Sequence, residues 1–205
     1  VDLAHAGADG RGHHSAAPVE NSGDGLRLGE AAGGACRFDL DQPAAWAPVS
    51  LVPGRDGVRR FPHLVERAKP GILAVDPRGE RFVNEADSYH DVLKAMLRRG
   101  DSHGWLIADH RAQRRYGLGW AKPFPFPTGP ARRAGYLKRG RTLAELAAAC
   151  DLPAAALEAT VARFNRFARD GSDPDFGRGA SAFNRAQGEA GRSLGPLERA
   201  PFYAV

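Results

Sequence analysis

The clearest periodic stretch of the chain lies between Asp151 and Gly171. Leu157, Val161, Phe164 and Ala168 recur there at i, i+4, i+7 and i+11. That spacing lays one apolar stripe along a helix, opened by Asp151 with Pro153, stopped by Gly171 and packed into a core. Just upstream, Thr142 predicts a cap for a helix from Leu143, and Glu145 three residues later completes a capping box. Asp91–Leu97 reads as a further helix, with Gly100 past its end. Asn21-Ser22-Gly23-Asp24-Gly25 is a dense turn signal before LRLGEAAGG, a short helix closed by Gly33-Gly34.

Strand patterns are shorter. Gly71–Val75 is apolar, Asp76-Pro77-Arg78-Gly79 has type I turn residues, and Glu80–Val83 returns, so the three predict a hairpin. Trp105–Ala108 is another short strand, and Phe202–Val205 ends the sequence on a strand-like run. Residues 41–70 carry Pro43, Pro48, Pro53, Gly54, Gly57, Pro62 and Pro70. This segment reads as an irregular crossing and an interdomain boundary. Residues 1–20, 120–136 and the stretch from 172 onward read as loop.

At 205 residues the chain makes one large domain or two small ones. Apolar residues at 42% and charged residues at 26% exclude wholesale disorder. No stretch approaches the roughly 18–20 apolar residues of a membrane helix. The start, VDLAHAGADG, has neither a basic region nor an apolar run nor Met, so no signal peptide is expected and the sequence reads as beginning mid-protein. Cys36 and Cys150 stand far apart, which fits a reducing cytoplasm better than a disulfide framework.

A net charge of +5 and a pI near 9.6 raise nucleic-acid binding as a possibility. Only four of the 29 basic residues are Lys, however, and the arginines are spread as short pairs without interleaved stacking aromatics. A nucleic-acid partner is therefore not expected. Walker A, GxSxG and HExxH motifs are missing. Gly177–Ala182 matches GxGxx[G/A], but Asp173-Pro174-Asp175-Phe176 precedes it where a strand belongs, so it reads as loop. His13-His14 lacks a third ligand at useful spacing, and no metal site is expected.

Several strings taken in order resemble one family. They are His14–Pro18, Asn21–Leu28, Ala45–Pro48, Lys69–Gly71, Gly79–Glu85, Ser88–Asp91, Phe164-Asn165, Asp173–Gly179 and Pro201–Ala204. The chain resembles FAD-dependent oxidoreductases of the fumarate reductase/succinate dehydrogenase flavoprotein superfamily, nearest the 3-ketosteroid Δ1-dehydrogenase-like branch. Two parts that the family normally has are not in the sequence: the opening GxGxxG unit and the Gly-rich FAD segment that follows PFYAV. The resemblance therefore implies an α+β middle fragment, a substrate (cap) domain with flanking pieces of the FAD-binding domain. Residues 1–68 would belong to the FAD-binding part, 69–195 to the cap and 196–205 to a return strand.

The resemblance also implies a chemistry. Gly23, Asp24 and Gly25 would contact FAD, although Asp24 is equally readable as a helix cap. Fumarate reductases place a catalytic Arg four residues past the Glu of RFVNE, where this chain has Tyr89. That change disfavours a dicarboxylate substrate and favours a tyrosine base acting beside a ketone. Tyr89 would take the proton, or else only pack at a helix start. Tyr203 would hydrogen-bond the substrate carbonyl, or else be an ordinary buried strand residue. Trp46 would line an apolar pocket or plug a domain boundary. Asn84 and Glu85 would support the substrate site by fixing the turn after Phe82, with Glu85 pairing to Arg81. The implied partners are an apolar ketone and the FAD-binding remainder of the same protein. The alternative is a non-catalytic remnant that holds no flavin.

Overall fold

The structure is a computed structural model that describes residues 20–37, 45–54, 57–101 and 103–205. The His13-His14 pair and the His14–Pro18 string lie outside these residues. The chain divides into two compact units, Val1–Ala45 and Trp46–Val205.

In the first unit, helix α1 (Asp24–Ala31) starts earlier than the expected Leu26. Its N-cap is Gly23, whose φ of 81° suits a residue without a Cβ. Asp24 therefore sits in the first helical turn and does not cap it. Its carboxylate accepts a hydrogen bond from Ser22 Oγ at 3.0 Å and pairs with Arg27. The end falls where Gly33-Gly34 predicted, with Gly34 N–H donating to the Gly29 carbonyl at 2.9 Å.

The second unit opens with an element that the sequence did not suggest. β1 (Val49–Gly54) and β2 (Gly57–Pro62) form a two-stranded antiparallel ribbon inside the supposedly irregular segment. Both strands of such a ribbon are edges, and proline is tolerated where its missing N–H would point outward. Pro53 and Pro62 fall in the same alternating set of pairs, Val49↔Pro62, Leu51↔Arg60 and Pro53↔Val58, so one geometry accommodates both.

The main sheet comprises β3 (Ile72–Val75), β4 (Trp105–Ala108), β5 (Lys138–Gly140) and β6 (Phe202–Ala204). Its order is β3-β4-β6-β5, with every neighbour antiparallel. The hairpin expected over residues 71–83 is only half formed. The turn is present, with Gly79 N–H donating to the Asp76 carbonyl at 2.9 Å. Residues 80–83, however, contribute a single bridge, Val75↔Arg81. Arg81 turns inward to carboxylates, and β4 takes the strand position beside β3 through four residue pairs.

Alternation along the strands gives the sheet two apolar faces. Ile72, Ala74, Leu106, Ala108 and Tyr203 share a cluster with Val92 of α2 (Tyr89–Arg99), Ala112 of α3 (His110–Tyr116) and Ala131 of α4 (Gly129–Arg133). Leu73, Val75, Ile107, Phe202 and Ala204 pack with Leu146 of α5 (Leu143–Ala149) and Leu157, Val161 and Phe164 of α6 (Ala154–Asp170). The architecture is thus α+β, a four-stranded sheet between two helical layers. Burial of large apolar side chains such as Leu157 and Phe164 contributes about 1.5–3 kcal/mol each.

Helix ends follow local chemistry with small departures. Ser88 Oγ caps α2, and Gly100 ends it at φ 72°. Thr142 Oγ1 accepts from Glu145 N–H at 3.0 Å, but the Glu145 carboxylate reaches Arg141 N–H at 2.8 Å and leaves the reciprocal half of the box unmade. Pro153 is the N-cap of α6, with Asp151 before it in left-handed backbone at φ 54°. The Gly177–Ser181 stretch is loop, leading into α7 (Ala182–Gln187) capped by Ser181. Among the described residues, no helix is long and apolar enough to cross a membrane and no group of three or more ligands suits a metal ion.

Candidate active site

A buried ionic frame underlies the region of the RFVNE string. Glu85 is fully buried, and its two carboxylate oxygens accept from Arg81 Nε (2.7 Å), Arg81 Nη2 (2.8 Å), Arg178 Nη1 (3.0 Å) and the Ala74 amide (3.1 Å). Arg81 also makes a bidentate pair with Asp173 at 3.0 and 2.8 Å, and its guanidinium lies between the rings of Phe164 and Phe176. Arg178 donates further to the carbonyls of Ile72, Arg67 and Lys69. Arg67 in turn holds the carbonyls of His63, Leu64, Glu85 and Asp87. Burial pushes the Glu85 carboxyl up, but the charges of Arg81 and Arg178 outweigh it and hold the group below the usual carboxylate range. Asp173 shows the same contest, with burial raising it and Arg81 winning.

Asn84 belongs to this frame. Its Oδ1 accepts from Ala86 N–H at 3.0 Å, and its Nδ2 donates to Asn184 Oδ1 at 2.9 Å. Asn184 Nδ2 passes the chain of bonds to Asp87 Oδ1 at 2.9 Å. Asn84 and Glu85 therefore fix the turn after Phe82, and the pairing of Glu85 with Arg81 is present.

Only one residue separates Asp87 from Tyr89. Ser88 turns the chain into α2, so Tyr89 stands at its first position, 38% exposed. Val92 lies one turn further on the same helix and enters the cluster that contains Tyr203. Tyr203 is 4% exposed, on β6 between Ala108 and Arg139. The segment entering β6 is clamped from two sides. Asn165 Nδ2 donates to the Leu197 carbonyl (2.8 Å), and Leu197 N–H donates to Asn165 Oδ1 (2.7 Å). Asp109, the N-cap of α3, accepts from Glu198 and Arg199 N–H at 3.2 and 3.1 Å.

The four tyrosines of the chain fall into two classes. Tyr116 donates to Glu189 at 2.5 Å, and burial followed by that carboxylate pushes its phenol up to about 12. Tyr136 bonds Ser50 Oγ at 2.6 Å and accepts from Trp120 N–H at 3.0 Å. Tyr89 and Tyr203 make no side-chain hydrogen bond among the described residues. A cleft of about 270 Å³ is lined by Phe61, Val65, Glu66, Lys69, Tyr116 and Gly119, of which Phe61 and Tyr116 also pack against the cluster that contains Tyr203. A larger one of about 370 Å³ borders Arg81, Phe164 and Phe176. It contains neither tyrosine and belongs to the ionic frame.

Trp46 is 7% exposed, more a plug than an open wall. Its backbone N–H donates to His90 Nδ1 at 3.1 Å, across 44 residues of sequence. His90 sits inside the Ser88–Asp91 string, yet the sequence offered no hint of this bond, because tertiary contacts of a surface histidine have no local signature. Arg178 was equally hidden, since a fully buried arginine is rare and nothing in the loop pattern marks it.

In the other unit, the GDG turn presents open backbone. A Cβ at Gly25 would meet nothing within 4 Å, and one at Gly23 only Leu26 Cδ1 at 4.0 Å. The N-terminus of α1 has no side-chain cap, so its first N–H groups are presented without a side-chain acceptor. These features fit a polar cofactor approaching the main chain.

The family model described as FAD binding domain matches residues 3–205. The chain is 42% identical over 201 residues to 4-oxocyclohex-2-ene-1-carboxylate 5-dehydrogenase of Sinomonas cyclohexanicum, covering 94% of this chain and 34% of that protein. It is 35% identical over 200 residues to 3-oxosteroid 1-dehydrogenase of Mycobacterium tuberculosis, covering 90% and 34% respectively. Among solved structures, 3-ketosteroid delta1-dehydrogenase from Sterolibacterium denitrificans, in complex with 1,4-androstadiene-3,17-dione, superposes with a TM-score of 0.75 at 31% identity. That match covers 93% of this chain and 35% of the other. The chain thus spans about a third of the length of the curated relatives it matches.

Proposed function

The chain belongs to the FAD binding domain family, and from that premise we propose that it supplies the substrate side of an FAD-dependent dehydrogenase that desaturates a cyclic ketone next to its carbonyl. In this reading residues 69–195 are the cap domain, 1–68 and 196–205 are pieces that join it to the FAD-binding part, and the rest of the flavoprotein is its partner. The observation that carries the reading is the division of the tyrosines. The two that the family resemblance singles out are the two without side-chain hydrogen bonds among the described residues.

Tyr203 donates a hydrogen bond to the ketone oxygen and so stabilises enolate character. Tyr89 takes the proton from the neighbouring carbon. A free tyrosine has a pKa of about 10, so this transfer depends on the C–H acidity that Tyr203 confers. Gly23, Asp24 and Gly25 hold the cofactor through open backbone and the uncapped start of α1. Bound FAD supplies the two-electron sink for the hydride of the adjacent carbon. Trp46 closes the apolar side of the site. Asn84 and Glu85 act through the frame, which reaches Asp87 by way of Asn184, because their polar atoms are already engaged. The substrate class is drawn from the relatives, which act on an oxocyclohexene carboxylate and on 3-oxosteroids. The free thiols Cys36 and Cys150 suit a reducing cytoplasm.

The test is Tyr89→Phe in the flavin-loaded protein that carries this chain. Turnover of a cyclic ketone should fall by about 10²–10⁴-fold while absorbance near 450 nm shows the flavin still bound. Unchanged turnover would overturn the assignment. A second reading rests on the one-third coverage of the relatives: the 205-residue chain alone is a non-catalytic piece. Retention of FAD by the isolated chain through gel filtration would refute it.

A further inference from the structure

The phenol of Tyr203 makes no side-chain hydrogen bond among the described residues, so packing sets the orientation of its buried ring. One partner in that packing is the imidazole of His110. The two rings stack with centroids 6.4 Å apart and planes 29° from parallel, within the range of offset aromatic pairs.

The backbone places His110 there. It opens α3, two residues past Ala108, which is the ladder partner of Tyr203. Its N–H donates to the Arg199 carbonyl at 2.8 Å. The carboxylate of Asp109, beside it, accepts from the N–H groups of Ala112, Glu198 and Arg199. The start of α3 is thus fastened to the segment that leads into β6, and the imidazole lies over the phenol ring. His110 Nδ1 is buried and has no hydrogen-bond partner among the described residues. The flat face of the imidazole, not a hydrogen bond through Nδ1, makes the contact.

We propose that His110 is a positioning residue that holds the Tyr203 ring in the orientation from which its Oη meets the ketone oxygen. The inference rests on the reading of Tyr203 as the donor to that oxygen. A hydrogen bond weakens steeply as it bends, and a working site tolerates only about 0.5 Å of misplacement. Oη stands at the far end of the side chain, so a small rotation of the ring about the Cα–Cβ bond displaces it most. Phenylalanine presents a similar flat face and can replace His110, whereas alanine presents none.

The experiment compares His110→Ala and His110→Phe in the flavin-loaded protein, alone and combined with Tyr203→Phe. A fluorine spectrum of 3-fluorotyrosine at position 203 is the second readout. His110→Ala is expected to lower kcat about two- to tenfold with KM changed less, and to broaden or split the fluorine line. His110→Phe is expected to keep kcat within about twofold and the line sharp. In the Tyr203→Phe background, His110→Ala is expected to cost nothing further, because the two residues act through one hydrogen bond. Unaltered kcat in His110→Ala would overturn the inference, as would an unaltered fluorine line. A loss of the same size with and without the Tyr203 hydroxyl would also overturn it, because it would show a general structural effect. Failure of the underlying reading looks different: Tyr203→Phe would then turn over normally, while the fluorine line would still show whether His110 holds the ring.

Discussion

Glu85→Gln removes one charge from the centre of the ionic frame while keeping its size. Glu85 accepts four hydrogen bonds, from Arg81 twice, from Arg178 and from the Ala74 amide. A glutamine turns one of its two acceptor atoms into a donor, and on either side that donor faces an N–H. Arg178, itself buried, then has no carboxylate partner, and Arg81 keeps only Asp173. Breaking a buried pair on one side costs about 3–5 kcal/mol. Against a typical domain stability of about 5–15 kcal/mol, that is about a fifth or more. At roughly 2–4 °C per kcal/mol for a chain of this size, the melting temperature should drop by about 6–20 °C. Urea or thermal unfolding followed by tryptophan fluorescence measures it. Arg163→Ala, which breaks the solvent-exposed pair with Asp175, serves as the control and should leave the midpoint nearly unmoved. Equal midpoints for Glu85→Gln and the parent chain would refute the claim that this frame holds the site. The pH dependence has a definite sign. Glu85 and Asp173 are depressed in the folded state, so their contribution is present above their unfolded pKa values, about 4.3 and 3.9. It is lost as pH falls through the folded values, so the midpoint should decline below about pH 4 and decline less in Glu85→Gln.

Asn165→Leu removes both bonds to Leu197 and leaves a buried N–H and carbonyl without partners, so urea unfolding should show a loss of about 2–4 kcal/mol. Gly140→Ala places a Cβ 2.3 Å from Leu146 N and 2.6 Å from the Thr142 carbonyl, both backbone. The β5–α5 junction must then shift, and a thermal scan should register a loss of about 1–3 kcal/mol or more.

What could be read from sequence follows from how local each signal is. The α6 stripe, the Thr142 cap and the stops at Gly100 and Gly171 depend on neighbours within a few residues, and each is found where the pattern placed it, whereas α2 starts two residues before the expected Asp91, at a Ser88 cap that the pattern did not mark. The β1–β2 ribbon was hidden because its prolines read as breakers, although a two-stranded ribbon has only edges. The 71–83 hairpin was overread because Glu80–Val83 keeps only the Val75↔Arg81 bridge, while the Arg81 side chain is held by Asp173, some ninety residues away. The same distance explains the site. Tyr89, Tyr203 and Glu85 were accessible through family strings, but the clamps of Asp109 and Asn165 on the β6 entry and the bond from Trp46 to His90 exist only in three dimensions.

Anaerobic mixing of the flavin-loaded protein with a cyclic ketone reports on the central chemistry in one trace. The account predicts that absorbance near 450 nm bleaches as a carbon–carbon double bond forms beside the carbonyl, and that Tyr203→Phe slows the bleaching while the flavin stays bound. A flavin that keeps its oxidised spectrum with both 3-oxosteroid and oxocyclohexane carboxylate substrates would contradict it.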